Sequence, residues 1–401
     1  MIKPWVLQLP EVHQRVMQYI FHHGQATRQE LSDDLGKSLM TISKAVTALI
    51  EEDMVMVDGA LSAAAGRRKS ILKLNPCHRL CVCVDIGYSS IKLALVAMNG
   101  DVMEKSRLPG LPYPIKSGIP EEAMLDVIES MIDRAGRERV LGIAVGISGM
   151  VNFEEGHVLF CPNIKGFNDR PLAAELSEKF SLPVLLDTSA RCMALGEHCF
   201  GAGRGARDQM MLSLGAGSIA SGIVSDGQLY RGAQGYAGEI GHTCVRPGAR
   251  LQRCTCGGYD CLELYATGEM IREEIDASLR EYDGYSKAKI LLDGEPLTMN
   301  KLHPLWHSGD PIVHETIEAA VEDISSVLTG AVNLLTPSLV ILGGGVVWHL
   351  LEVVEMIESR VRTSCLAPLR EDMRFVRSAL GEDSALQGAA VLLILKYLGE
   401  I

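Results

Sequence analysis

A histidine and three cysteines fall within twenty residues of one another: His242, then Cys254, Cys256 and Cys261. Three soft thiolates and one imidazole complete a tetrahedral Zn²⁺ shell, the closed arrangement of a structural site. The spacing is C-x-C, four residues, then C, with Gly257 and Gly258 inside the knuckle. The alternative is a chance cluster of reduced thiols, but four ligands of matching type in so short a run favour metal. Two carboxylates, Glu239 and Glu263, bracket the four. A zinc-stiffened loop that presents carboxylates reads as one wall of a small-molecule pocket.

The elements that must carry this loop alternate strands with helices after Asn75-Pro76. Apolar runs at 80–87, 90–98, 101–108, 140–149, 183–187, 209–217, 219–227 and 339–346 read as strands, several ending in glycine turns. Helices are expected at 121–136 and around 353–363. That alternation predicts an α/β body that binds ligands at the carboxyl ends of its strands. Three turns have the form of phosphate cradles, because glycines let backbone N–H groups approach an anion. These are Asp85 and Gly87 ahead of Lys92, Gly215 with Gly217, and the run Gly343, Gly344, Gly345. Each alone is weak, since a glycine after a strand is often only a turn.

Residues 10–74 read differently, as three helices and a β-hairpin. Pro10 to Gly24 has a helix start and stop, and Thr27 with Glu30 makes a capping box for the next helix. Ser38 caps a third helix whose core stripe is expected to be Leu39, Ile42, Val46, Leu49 and Ile50. Its first two turns present Met40, Thr41, Ser43, Lys44 and Thr47, short enough to approach base edges. A strand at 54–57, a turn at Asp58-Gly59 and a strand at 70–75 follow, with the basic cluster Arg67, Arg68 and Lys69 between the strands. The pattern is a winged helix-turn-helix, with the third helix in a major groove and the wing on phosphate or minor groove. Arg28, Lys37 and Lys73 would add phosphate contacts. Any small three-helix unit could instead bind protein, but the coincidence of basic wing and topology favours double-stranded DNA.

Bulk properties fit this division. The 401 residues carry a net charge of −12, which alone argues against nucleic acid. Residues 1–75, however, hold nine Lys/Arg against eight Asp/Glu, so the acidity lies in the body. Scattered cysteines suit a reducing compartment, and neither a signal peptide nor a run of membrane-spanning length is present, so a cytoplasmic protein without membrane insertion is expected.

Taken together, the three glycine loops, the GISGMVN stretch, the GEIGH segment and the knuckle behind a winged helix-turn-helix resemble the ROK (repressor, ORF, kinase) family over nearly the whole chain, from about His13. The resemblance implies an actin-like, hexokinase-like two-lobed ATPase fold: a head at 1–76, a small lobe at 77–190 with 385–401, and a large lobe at 191–384. It implies that Glu239, His242 and Glu263 hydrogen-bond sugar hydroxyls, and more loosely that Asn163 lies near the sugar. One nitrogen of His242 would then face zinc and the other the ligand.

The family contains both sugar kinases and sugar-responsive repressors. Its kinases place a catalytic aspartate eight residues before a glutamate, in a pattern like ENDANAAALGE. Here DTSARCMALGE ends at Glu197, and the position falls on Ser189, whose hydroxyl titrates too high to be a base. Asp187, Thr188 and Ser189 read as capping and turn residues for the next helix. Tyr88 stands where the kinases' first loop has glycine. The expectation is therefore a transcription regulator with a decayed kinase body, structural zinc and no use of ATP. Its partners would be a palindromic operator, a sugar effector and further copies of itself as a dimer or tetramer. Docking of another protein on the body is the remaining option, and an active sugar kinase with a DNA-binding head is the competing reading.

Overall fold

The computed structural model describes residues 9–61, 69–88, 90–108 and 120–401. The head opens with α1 (Glu11–His23), α2 (Arg28–Leu35) and α3 (Leu39–Glu51). Their boundaries follow local chemistry: Gly24 and Gly36 close the first two in left-handed conformation, Thr27 and Glu30 form the reciprocal capping box, and Ser38 caps α3. Strands β1 (Val55–Leu61) and β2 (Lys69–Leu74) pair antiparallel. Two expectations are corrected. Asp58-Gly59 is not a turn but an irregularity within β1, where the register shifts between Val57 and Ala60. Leu39 is 47% exposed, because the helix has only begun there, and the buried stripe is Ile42, Ala45, Val46 and Leu49.

The body contains two five-stranded sheets. The first has the order β5-β4-β3-β6-β9, from β3 (Leu80–Ile86), β4 (Ile91–Ala97), β5 (Val102–Leu108), β6 (Val140–Ile147) and β9 (Val184–Thr188). The helices α4 (Glu121–Ala135) and α5 (Leu172–Phe180) pack on it, and β7 (Met150–Asn152) and β8 (His157–Phe160) form a separate hairpin. β3 and β4 are buried along their whole length, as continuous apolar runs should be.

After α6 (Ser189–Phe200) comes the second sheet, β12-β11-β10-β13-β14. It comprises β10 (Gln209–Leu214), β11 (Ile219–Ser225), β12 (Gln228–Tyr230), β13 (Leu339–Gly343) and β14 (Arg374–Arg377). Around it lie α7 (Glu263–Ala266), α8 (Gly268–Glu281), α9 (Lys287–Leu292), α10 (Leu302–His307), α11 (Pro311–Leu335), α12 (Gly345–His349), α13 (Glu352–Ser364) and α14 (Leu369–Asp372). The last helix, α15 (Ser384–Leu398), packs on β3, β4 and β6 and against α6, which packs on β10 and β11. Helices α6 and α15 thus join the sheets. Gly388 permits the crossing, since a Cβ there would sit 1.6 Å from the Cys192 carbonyl oxygen.

The head is part of the same packing. One hydrophobic cluster runs from Val16, Ile20, Ile42 and Leu72 into Cys81, Leu195, Leu392 and Tyr397. Gln14 and Gln18 donate to the Leu398 carbonyl at 2.6 and 2.9 Å, and Phe21 meets Phe200 edge-on with centroids 5.9 Å apart. Among the described residues no helix is long and apolar enough to cross a membrane.

Candidate sugar cleft and metal knuckle

The four sequence-predicted ligands converge: one ligand atom from each of His242, Cys254, Cys256 and Cys261 lies within 4.8 Å of the others. His242 Nδ1 is 3.6 Å from Cys254 Sγ, and Cys256 Sγ is 3.7 Å from Cys261 Sγ. A tetrahedron with Zn–S and Zn–N bonds of about 2.3 and 2.0 Å has N···S and S···S edges of about 3.5 and 3.8 Å. The donor set fits zinc. Gly258 N–H donates to Cys256 Sγ at 3.4 Å, and Cys254 N–H donates to the Gly258 carbonyl at 2.8 Å, which closes the knuckle. Burial pushes the Cys254 and Cys261 thiols up and His242 down. Neutral imidazole is the form a metal requires, and a divalent cation reverses the thiol shift by binding thiolate.

Asp260, within the knuckle and not singled out from sequence, supports its flank. Its carboxylate accepts from Gly248 N–H at 2.9 Å, Gln252 N–H at 3.3 Å and the Tyr265 hydroxyl at 2.8 Å. Only the acidic residue type was visible in the sequence; its partners are set by how the 248–252 loop folds back.

Beside the knuckle is a cleft whose lining includes Asn163, Ser189, Glu239, His242 and Glu263. All four residues expected at a sugar are therefore together. Glu239 starts the one-turn helix Ile240–His242, and Gly238 before it has φ +100, with its carbonyl accepting from Ser221 N–H at 2.7 Å. A Cβ at Gly238 would lie 2.0 Å from the Ser221 oxygen, so the turn requires glycine. Glu263 Oε1 accepts from Ile219 N–H at 2.7 Å, while Oε2 lies 3.9 Å from His242 Nδ1. Burial pushes Glu263 up to about 7, with the Ile219 N–H opposing and the charge of Glu239 adding. Burial also raises Glu239, opposed by the Arg191 charge. Two carboxylates of shifted acidity can both donate to and accept from a polyol.

The residues at the kinase-type positions make defined contacts in the fold. Ser189 is the first residue of α6, and its hydroxyl donates to Asp85 Oδ1 at 2.7 Å. Thr188 is the N-cap, accepting from Arg191 N–H. Asp187 is not a cap: it is fully buried, taking Arg191 Nε at 2.5 Å and Arg231 Nη2 at 2.9 Å. Arg191 also donates to the Gly235 carbonyl at 2.7 Å, and Arg231 lies over the Phe153 ring at 3.8 Å. This triad, which sequence reasoning missed, ties the start of α6 to the 231–238 loop ahead of Glu239. Lys92 donates to the Glu382 carbonyl at 3.1 Å. Tyr88 is buried against the second glycine loop, where a Cβ at Gly217 would come within 2.3 Å of its ring. Gly343, Gly344 and Gly345 end β13 and begin α12, and Gly215 N–H donates to the Ser218 carbonyl at 2.9 Å.

In the head, Lys37, Met40, Thr41 and Lys44 are exposed, while Ser43 and Arg28 are half-buried. Arg67 and Arg68 lie outside the described residues, and Lys69 is the first residue of β2.

Residues 81–396 match the profile of the ROK family. The xylose repressor of Caldicellulosiruptor bescii is 29% identical over 335 residues, covering 82% of this chain and 81% of that one. The DNA-binding transcriptional dual regulator NagC of Escherichia coli K12 is 26% identical, covering 94% and 91%. A glucokinase of Thermotoga maritima is 28% identical, covering 77% of this chain and 96% of its own. Among solved structures, a ROK family transcriptional regulator described as a homologue of the E. coli MLC protein superposes with a TM-score of 0.78 at 24% identity, covering 97% and 96%. The chain belongs to the ROK family.

Proposed function

We propose that this ROK-family chain is a transcriptional repressor of carbohydrate metabolism that binds an operator through its head and a sugar in the cleft. The observation that carries the reading is the cleft itself, where Asn163, Glu239, His242 and Glu263 meet beside the knuckle without an aspartate at Ser189. The coverage of relatives supports the same division. NagC aligns with 94% of this chain, whereas the glucokinase, with 96% of its own length aligned, covers 77% of this chain, a length close to that of the body alone. Structural Zn²⁺ at the knuckle, a homodimer or homotetramer, and a cytoplasmic location belong to this reading. Two heads on two half-sites gain avidity from a palindrome.

The coupling runs through α6. Its first turn lines the cleft at Ser189 and Ala190, and its last residue, Phe200, packs on Phe21 of the head. Sugar that closes the lobes shifts this helix and repositions the heads, a population shift set by the ligand's preference for one arrangement. A cavity of about 400 Å³ at the head–body junction, lined by Phe21, Met56, Phe200 and Arg204, leaves room for that repacking.

Phosphoryl transfer is the second reading, favoured by the glucokinase relative. It lacks a base at Ser189, and Tyr88 packs where phosphate would approach Gly217. A thermal-shift screen of sugars on zinc-replete protein, followed by coupled ADP release with each hit, separates the two. The repressor reading expects a sugar that raises the melting temperature without ADP release; sustained sugar-dependent turnover overturns it.

A further inference from the structure

A second convergence of metal-ligating side chains lies away from the cleft, in the helical layer of the second sheet. His303 and His307 are four residues apart on α10, so both rings leave the same face, with centroids 4.4 Å apart. Glu352, the first residue of α13, meets them from a different element. His307 Nε2 is 2.7 Å from Glu352 Oε1, and His303 Nε2 is 3.9 Å from the same atom, too long for a hydrogen bond. One donor atom from each of the three lies within 4.8 Å of the others.

An ion pair between Glu352 and one histidine leaves two things unexplained. The second imidazole is turned to the same oxygen without bonding it. The other carboxylate oxygen, Oε2, is buried and has no hydrogen-bond partner among the described residues. A buried carboxylate oxygen without a donor is costly, and a bound cation is among the ordinary explanations for one. We propose that His303, His307 and Glu352 form a second metal site, for a divalent first-row transition ion held by two Nε2 atoms and one carboxylate.

The donor chemistry sets the class. Imidazole nitrogen suits Zn²⁺, Ni²⁺ and Cu²⁺, whereas Mg²⁺ and Ca²⁺ take oxygen ligands. A carboxylate gripping the ion through both oxygens satisfies the buried Oε2. Three protein ligands leave coordination positions open to solvent, unlike the closed Cys₃His knuckle. The histidines are about half exposed, so an ion has access. The consequence is mechanical. The ion would join α10 to α13, and α12, which begins at the Gly343–Gly345 turn, lies between them in the chain. None of this depends on the sugar reading.

The test is calorimetric titration of NiCl₂ into the full chain, first loaded with one equivalent of Zn²⁺, for the native protein and for His303→Ala, His307→Ala and Glu352→Gln. The native protein should bind one Ni²⁺ with its zinc content unchanged by metal analysis. Loss of outer-shell support alone typically weakens a site by roughly tenfold or more, so each variant should bind at least tenfold more weakly. Superimposable melting curves of the four proteins before nickel addition separate ligand loss from misfolding. Absence of a nickel event in the zinc-loaded native protein overturns the proposal. Undiminished affinity in Glu352→Gln does so too, because it leaves only a two-histidine surface chelate.

Discussion

Glu239 and Ser189 line one cleft, and in the proposed function their difference in chemistry separates sugar binding from catalysis. An ionisable carboxylate on a glycine-constrained turn can hold a hydroxyl; a neutral serine hydroxyl that donates a hydrogen bond to Asp85 is too weak a base to take a proton from one. Glu239→Ala should therefore weaken the sugar by about 1–3 kcal/mol in a calorimetric titration, with zinc content unchanged. His78 makes a pH prediction at the same scale. Burial, with the Arg79 charge, lowers it from 6.5 to about 4. The folded state thus binds fewer protons than the unfolded chain, so the contribution is present above pH 6.5 and is lost as pH falls towards 4. His78→Phe should remove that part of the acid-induced fall in melting temperature; an identical fall in both proteins contradicts the assignment. The ligand residues were legible because their types and spacing are local. The Asp187–Arg191–Arg231 triad was not, since Arg231 lies 44 positions from Asp187 and only the fold brings them together.

At the scale of elements, α6 matters most. Twelve residues span about 18 Å, enough to run from the cleft to the head. Phe200→Ala should keep sugar affinity but loosen the contact with Phe21. Allosteric coupling energies are typically 1–3 kcal/mol, so the sugar's effect on DNA affinity should shrink about fivefold or more, read by fluorescence anisotropy. A full sugar response in this variant would remove α6 from the coupling route. The helices of the head were legible from their caps, and the strands from their apolar runs. Leu39 misled because periodicity gives the face of a helix but not where its packing partner begins. Asp58-Gly59 misled because the same residue pair serves a turn or an irregular strand.

For the whole molecule, the head shares one hydrophobic core with the body, so in the proposed function an arrangement preferred by sugar in the cleft would bear on the head. The alternation of strands and helices made an α/β body legible in the sequence, whereas its division into two five-stranded sheets is seen only in the fold. The continuity of the head's core with α15 was not readable, because it joins residues nearly the length of the chain apart. The most direct test is the affinity of the protein for DNA that it selects from a random pool, measured with and without a saturating sugar found by thermal shift. Adding sugar should change Kd at least about fivefold, the low end of ordinary coupling. Glu239→Ala, with its sugar-free DNA affinity intact, should lose that change at the same sugar concentration. A DNA affinity that ignores a sugar bound in the cleft would contradict that coupling.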